Sequence, residues 1–317
     1  MFADDTNIFR EIKTEEDRKH LQDDLDKLQQ WSDTWLLKFH PNKCKVMSIS
    51  NKRLTEVTTT YYLHDQDGKS VELSRSEGEK DLGVMVDDKV NFDKHIQQQV
   101  NKANSIMGLI RRTYTFLDET SFRYLFQALV RPHLEYAEAV WSPFTKKDID
   151  TIEKVQKRAT KLIPSLKNMD YPNRLKKLKM PTLQYRRLRG DMIEVYKIIN
   201  GIYDHKVVTG FFELSDVEQT RGHNKKLRKL SCKINKRKNY FSNRVIDVWN
   251  NLPQEAVSAK SVKDFEIAID KHWENQEMKY NHNANIELKT GRKRSYTTIQ
   301  RDDDKIEADK VVDDQRP

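Results

Sequence analysis

The chain predicts an α+β protein in two parts, a small antiparallel sheet with one helix followed by a mainly α-helical region. Three observations lead there. Asp67-Gly68 separates two strand-like runs, residues 57–63 and 69–73, and that pair tolerates the positive φ of a tight hairpin turn. From Asp93 onward, apolar residues recur every three or four positions instead of every two. The basic residues also crowd into stretches of that second part, as they would on a protein that meets a polyanion.

Length and composition set the limits. With 317 residues the chain can bury a sizeable core and divide into two or three units. Mean hydropathy is −0.88 and 34% of residues are charged, and no run approaches the roughly 20 apolar residues that span a bilayer. No basic stretch followed by an apolar one opens the chain, so the expectation is an intracellular protein, in nucleus or cytoplasm, with no membrane partner. Cys44 and Cys232 are the two cysteines and lie far apart, which fits a reducing compartment.

Taken in order, Thr14 is the first capping residue, with Glu15, Glu16 and Asp17 in the first turn where the helix dipole favours acids. Leu21, Leu25, Leu28 and then Trp31 or Trp35 continue that helix with one apolar face. Residues 44–50 read as a strand, the hairpin follows, and residues 82–86 add a third strand to one antiparallel patch. Ile96, Val100, Ala103, Met107 and Ile110 make the next helical stripe. Phe122, Leu125, Phe126 and Leu129 make another, beginning after Asp118 and stopped by Pro132. Ile149, Ile152, Val155, Ala159 and Leu162 or Ile163 make a third, stopped by Pro164. Leu188, Met192, Val195 and Ile199 end at Gly201. Residues 209–230 are poor in apolar side chains and suggest a flexible connection. Phe241, Val245 and Val248 or Trp249 mark a short helix, and Val262, Phe265, Ile269 and Trp273 a last one. Beyond Lys279 the chain turns polar and disorder is expected. The implied units are 1–95, 96–205, 206–279 and 280–317.

Certain residues carry more than periodicity. Phe2-Ala3-Asp4-Asp5, followed by Thr6, Ile8 and Phe9, sets two adjacent carboxylates between apolar neighbours, as a β-turn between short buried strands would, with a strand over Thr6 to Arg10. Such a turn could share a divalent cation, which would offset the repulsion between the two charges. Taken by itself an Asp-Asp pair is more often a solvated turn. Phe2-Ala3-Asp4-Asp5 resembles the palm motif (F/Y)xDD of reverse transcriptases from non-LTR (LINE-type) retrotransposons of the jockey or CR1 kind. Trp31 and Trp35 followed by residues 37–45, ending Pro41-Asn42-Lys43-Cys44-Lys45, resemble the next palm motif. Lys80-Asp81-Leu82-Gly83-Val84 with Asp87, Phe92 and His95 looks like the primer-grip hairpin. Residues 130–136 with Trp141, and Val248-Trp249-Asn250-Asn251-Leu252-Pro253, are similar to signposts beyond the palm in such elements. The resemblance spans about residues 1–275.

The resemblance implies an RNA-directed DNA polymerase: a palm remnant, then a helical thumb that clamps the primer-template duplex, then a basic helical region and a charged tail. Its partners would be an RNA template and a DNA primer, and its cofactor Mg²⁺, held by Asp4 and Asp5; no small-molecule cofactor is implied. Lys43 would be the general acid that protonates the departing pyrophosphate; without the motif it is one of 58 basic residues. Two-metal phosphoryl transfer needs about three carboxylates. The family's remaining aspartate and nucleotide pocket lie on strands that would precede Met1, so the expectation is a fragment of a longer polyprotein that does not polymerise alone. The alternative is a basic, helical nucleic-acid-binding protein without catalysis. Residues 154–189 hold twelve Lys or Arg against the single acid Asp170, and residues 221–244 hold ten against none. Lys176, Lys177, Lys179, Arg186, Arg187, Lys225, Lys226, Arg228, Lys229, Lys236, Arg237 and Lys238 are the expected phosphate contacts, with Tyr171, Tyr185, Tyr240 and Phe241 as platforms for bases.

Overall fold

A computed structural model describes residues 6–49, 60–65, 67–215 and 222–288. It mixes helix and strand, with the chain dividing into two units between Asn91 and Phe92. Asp4 and Asp5 lie outside the described residues, as do 289–317.

In the first unit, α1 spans Glu15–Thr34 and starts as its sequence requires. The Thr14 hydroxyl accepts from Asp17 N–H at 3.2 Å, and the Asp17 carboxylate accepts from Thr14 N–H at 2.8 Å. That capping box satisfies two donors which a helix start leaves orphaned. Leu21 and Leu25 pack against Tyr61, Leu63 and Leu73 in a small core, whereas Trp31 and Trp35 are 40% and 64% exposed and do not complete the expected apolar face. The expected strand over Thr6 to Arg10 is not formed. That stretch is held through side chains instead, Arg10 to Asp24 at 2.7 Å and Asn7 to Asp81 at 2.9 Å.

The single antiparallel patch is also corrected: the described residues form three separate two-stranded ribbons. β1 (Lys45–Val46) is shorter than expected and pairs in parallel with β4 (Ser74–Arg75). β2 (Tyr62–His64) and β3 (Ser70–Glu72) form the expected hairpin, with Leu63 opposite Val71. Its turn works because Gly68 takes φ +76° and the Asp65 carboxylate accepts from Asp67 N–H and Lys69 N–H, both at 2.9 Å. The outer edge of β2 is closed by a side chain of α1: Gln22 donates to Tyr62 O and accepts from Tyr62 N–H, both at 3.0 Å. β5 (Gly78–Asp81) and β6 (Val84–Asp87) are joined by Leu82-Gly83, both at positive φ as a two-residue hairpin turn demands.

The second unit is helical. α2 (Asp93–Thr113) buries the expected stripe from Ile96 to Ile110. α3 (Glu119–Leu125) passes into a π-helical stretch, Phe126–Val130, and then α4 (Arg131–Glu135), so Pro132 does not stop this helix. The reason lies in the spacing of what is buried. Phe122, Phe126, Val130 and Leu134 recur every four residues and are each at most 1% exposed, whereas Leu129 is 44% exposed. A strict four-residue repeat drifts around a 3.6-residue helix; the wider π turn brings it back to one face. Pro132 then sits just past that turn, in the first turn of α4, where a backbone N–H would lack an acceptor in any case.

α5 (Glu138–Trp141), α6 (Lys146–Ala159), α7 (Tyr171–Leu178) and α8 (Leu183–Ile199) follow, and Gly201 ends α8 at φ +67°. α9 (His205–Val208), α10 (Asn235–Asn239), α11 (Phe241–Arg244), α12 (Ile246–Asn250), α13 (Gln254–Val257) and α14 (Val262–His272) complete the set. Residues 96–205 and 206–279 share a core: Met192, Val195 and Tyr196 of α8 meet Trp249, Phe265 and Ile269, with Tyr196 stacked on Phe265 at 4.5 Å. Residues 222–230, expected to be flexible, are pinned. Trp249 Nε1 donates to Lys225 O at 2.8 Å, and the Asn250 amide both accepts from Leu227 N–H and donates to Leu227 O. The polar stretch after Lys279 likewise contributes Ile286, 1% exposed, to the core.

Candidate nucleic-acid interface

Folding redistributes the basic charge that the sequence segregates, because acids from elsewhere in the unit meet much of it. Arg186 lies against Glu135 through two contacts of 2.5 and 2.9 Å. Arg189 pairs with Asp270 and Glu266, Arg244 with Asp191, Lys177 with Glu119, Arg228 with Glu213, and Lys229 with Asp247. Arg187 is 3% exposed and out of reach of a phosphate. Arg174 is 2% exposed and donates to Thr160 Oγ1, Met169 O and Lys157 O, tying α7 to the C-terminal end of α6 where the helix dipole favours a cation. Lys225 donates to the Asn200 amide oxygen, and Lys226 and Lys236 are half-buried. Arg237 and Lys238 are exposed, with Arg237 5.4 Å above the Tyr240 ring.

Three of the four expected stacking aromatics are corrected. Tyr171, Tyr185 and Phe241 are at most 6% exposed and belong to the core; Tyr240 is 45% exposed. Tyr171 donates to Glu153 Oε1 at 2.5 Å, and burial with that neighbouring acid pushes its hydroxyl pKa far up.

One face of α6, with the turn after it, stays open. Ile149, Ile152, Val155 and Ala159 point inward, and Lys154, Lys157 and Arg158, with Lys161 of the 3₁₀ turn Thr160–Leu162 that follows α6, lie exposed at i, i+3, i+4 and i+7. None of these four has an acid partner among the described residues. Lys167, Lys176 and Lys179 are exposed beyond them, with Lys179 in the left-handed conformation (φ +52°) that closes α7. Sequence reading missed the α6 residues as contacts, although their spacing, complementary to the apolar stripe, was there to be seen. Beside them Lys146, Lys154, Lys157 and His282 line a cleft of about 250 Å³, with Asp150 and the buried Glu153. Asp150 approaches His282 Nε2 at 3.4 Å, while burial holds the His282 pKa below its ordinary value. His282 reaches the cleft because Thr182 anchors the chain before it, donating to Lys279 O and Met278 O at 2.9 and 2.8 Å.

Lys43 is exposed at the end of a 3₁₀ turn, Pro41–Lys43, with no polar partner for its ammonium among the described residues. Asp4 and Asp5 lie outside those residues, and within them no three His, Cys, Asp or Glu side chains gather as a metal ion would require.

No protein-family model matches the chain, and no solved structure does. It is similar to an uncharacterized protein of Caenorhabditis elegans, 28% identical over 126 residues. That match covers 39% of this chain and 64% of the other, so the chain spans less than two thirds of that relative's length. No helix among the described residues is long and apolar enough to cross a membrane.

Proposed function

We propose that the chain binds nucleic acid through the basic face of α6 and the adjoining Lys167, Lys176 and Lys179, as part of a retrotransposon reverse transcriptase in which the helical unit serves as the thumb. The observation that carries the binding is the stripe Lys154, Lys157, Arg158 and Lys161. Within α6, Lys154 makes like-charged pairs with Lys157 and Arg158 at i,i+3 and i,i+4, each costing about 0.2–0.5 kcal/mol in a helix, and Lys161 adds its charge one turn on. A neutral or mixed face would be more stable, and acids do meet several other cations of this unit, Arg186, Arg189 and Arg244 among them. A phosphate backbone supplies the missing counter-charges and releases condensed ions as it does so. Lys179 supports the same reading, since glycine is the favoured residue at its left-handed position.

The polymerase part of the proposal rests on the ordered likeness of the motifs from Phe2 to Pro253 to those of such enzymes. Asp4 and Asp5 would hold Mg²⁺ and Lys43 would act as acid in the complete enzyme. The basic helical protein without catalysis remains the second reading, favoured by the α6 stripe itself, which needs none of the palm motifs to bind phosphates. Both readings require the same surface. Fluorescence anisotropy with a labelled RNA–DNA hybrid, comparing a Lys154/Lys157/Arg158/Lys161→Ala variant with a Lys225/Lys226/Arg228/Lys229→Ala variant, tests it. The α6 variant is expected to lose binding and the second to lose less, because Arg228, Lys229 and Lys225 already have partners. Equal losses, or a greater loss in the second, would place the contact surface elsewhere.

A further inference from the structure

We propose that the turn between α2 and α3 is a stacking platform for unpaired bases of single-stranded RNA or DNA; this rests on the nucleic-acid-binding reading above. Tyr114, Phe116 and Tyr124 are 45%, 94% and 62% exposed within eleven residues of chain. At about 1.5 Å per helical residue and 3.3–3.6 Å per extended one, the chain from Tyr114 to Tyr124 spans at most about 25 Å, the reach of several successive bases. They are displayed on a firm base. Tyr114 N–H closes α2 on Ile110 O at 3.0 Å, Leu117 is 9% exposed, and Phe122 stacks on Phe126 in the core.

The surroundings favour a polyanion over an apolar partner. Arg111, Arg112 and Arg123 flank the rings without an acid partner among the described residues, and the Arg123 guanidinium lies 5.6 Å from the centre of the Tyr124 ring. The two nearby acids are engaged. The Asp118 carboxylate caps α3, accepting from Thr120 N–H and Ser121 N–H at 2.7 and 2.8 Å, and Glu119 pairs with Lys177 at 2.9 Å. Lys177 also brings α7, with Lys176 and Lys179, next to this turn. Bases that stack on exposed aromatics beside arginines bind whatever their identity, whereas a duplex keeps its base faces covered.

The test uses the full chain and two fluorescent probes, a short single-stranded RNA carrying 2-aminopurine and an RNA–DNA hybrid of the same sequence. Phe116→Ala/Tyr124→Ala should weaken single-strand binding by about tenfold or more and abolish the quenching of 2-aminopurine, with hybrid binding unchanged within about twofold. Phe116→Trp with Tyr124 intact should retain the quenching that the double variant loses. Single-strand binding unchanged in the double variant, or equal losses on both probes, overturns the platform. Hybrid binding that depends on the α6 lysines with no binding of the single strand overturns the platform alone. Failure of the natural chain to bind either probe overturns both it and the function it rests on.

Discussion

Glu138 is a half-buried acid whose carboxyl is held away from water. Its Oε2 is buried without a hydrogen-bond partner among the described residues, and burial together with Glu135 pushes its pKa up from 4.5 to about 8, against the pull of Arg187. Gly190 of α8 leaves the room its carboxyl fills, since a Cβ there would meet Oε1. Because the folded pKa lies above the unfolded one, the protonated carboxyl's contribution is full below about pH 4.5. It is lost as pH rises towards 8, by at most a few kcal/mol. Glu138→Gln should therefore melt progressively higher than the natural chain between pH 5 and about pH 8.5. A difference in melting temperature that stays constant over that range would show that Glu138 titrates normally.

At the scale of elements, the segment 222–230 gives the clearest test of how the second unit is held. Asn250 makes two bonds to the Leu227 backbone, 2.8 and 2.9 Å. Asn250→Ala leaves both groups unpaired, costing about 1–3 kcal/mol, and trypsin should then cut first after Lys225, Lys226 or Arg228. Cleavage rates equal to those of the natural chain would mean that the segment is held by other contacts. This pinning could not be read from sequence. A stretch poor in apolar residues looks like a linker, and its partners lie more than twenty residues away. Local chemistry was legible: Thr14 with Asp17, Asp67-Gly68, the α2 stripe and Gly201 each carry their instruction within a few residues. The π turn was half visible, as Phe122, Phe126 and Val130 show its four-residue beat, but Pro132 read as a stop. The parallel pairing of β1 with β4 joins residues some thirty apart, and nothing in either strand announces it.

At the scale of the whole molecule, the same limit governs the candidate site. Counting charges along the chain placed the basic surface in two segments. Folding brings Glu135, Asp191, Glu213, Asp247, Glu266 and Asp270 to those segments and leaves the α6 face among the parts without acid partners. Aromatic residues misled for a related reason: Tyr171 and Tyr185 sit among lysines and arginines in sequence but face inward on their helices.

If phosphates supply the counter-charge for this face, binding must weaken steeply as salt rises. For an RNA–DNA hybrid, affinity should fall by roughly a thousandfold between 50 and 200 mM salt if about six cations meet phosphates. Replacing Lys154, Lys157, Arg158 and Lys161 by Ala should flatten the plot of log affinity against log salt by about three units of slope, whatever the sequence of the hybrid. A natural chain whose affinity is insensitive to salt, or a variant whose slope is unchanged, would contradict the claim.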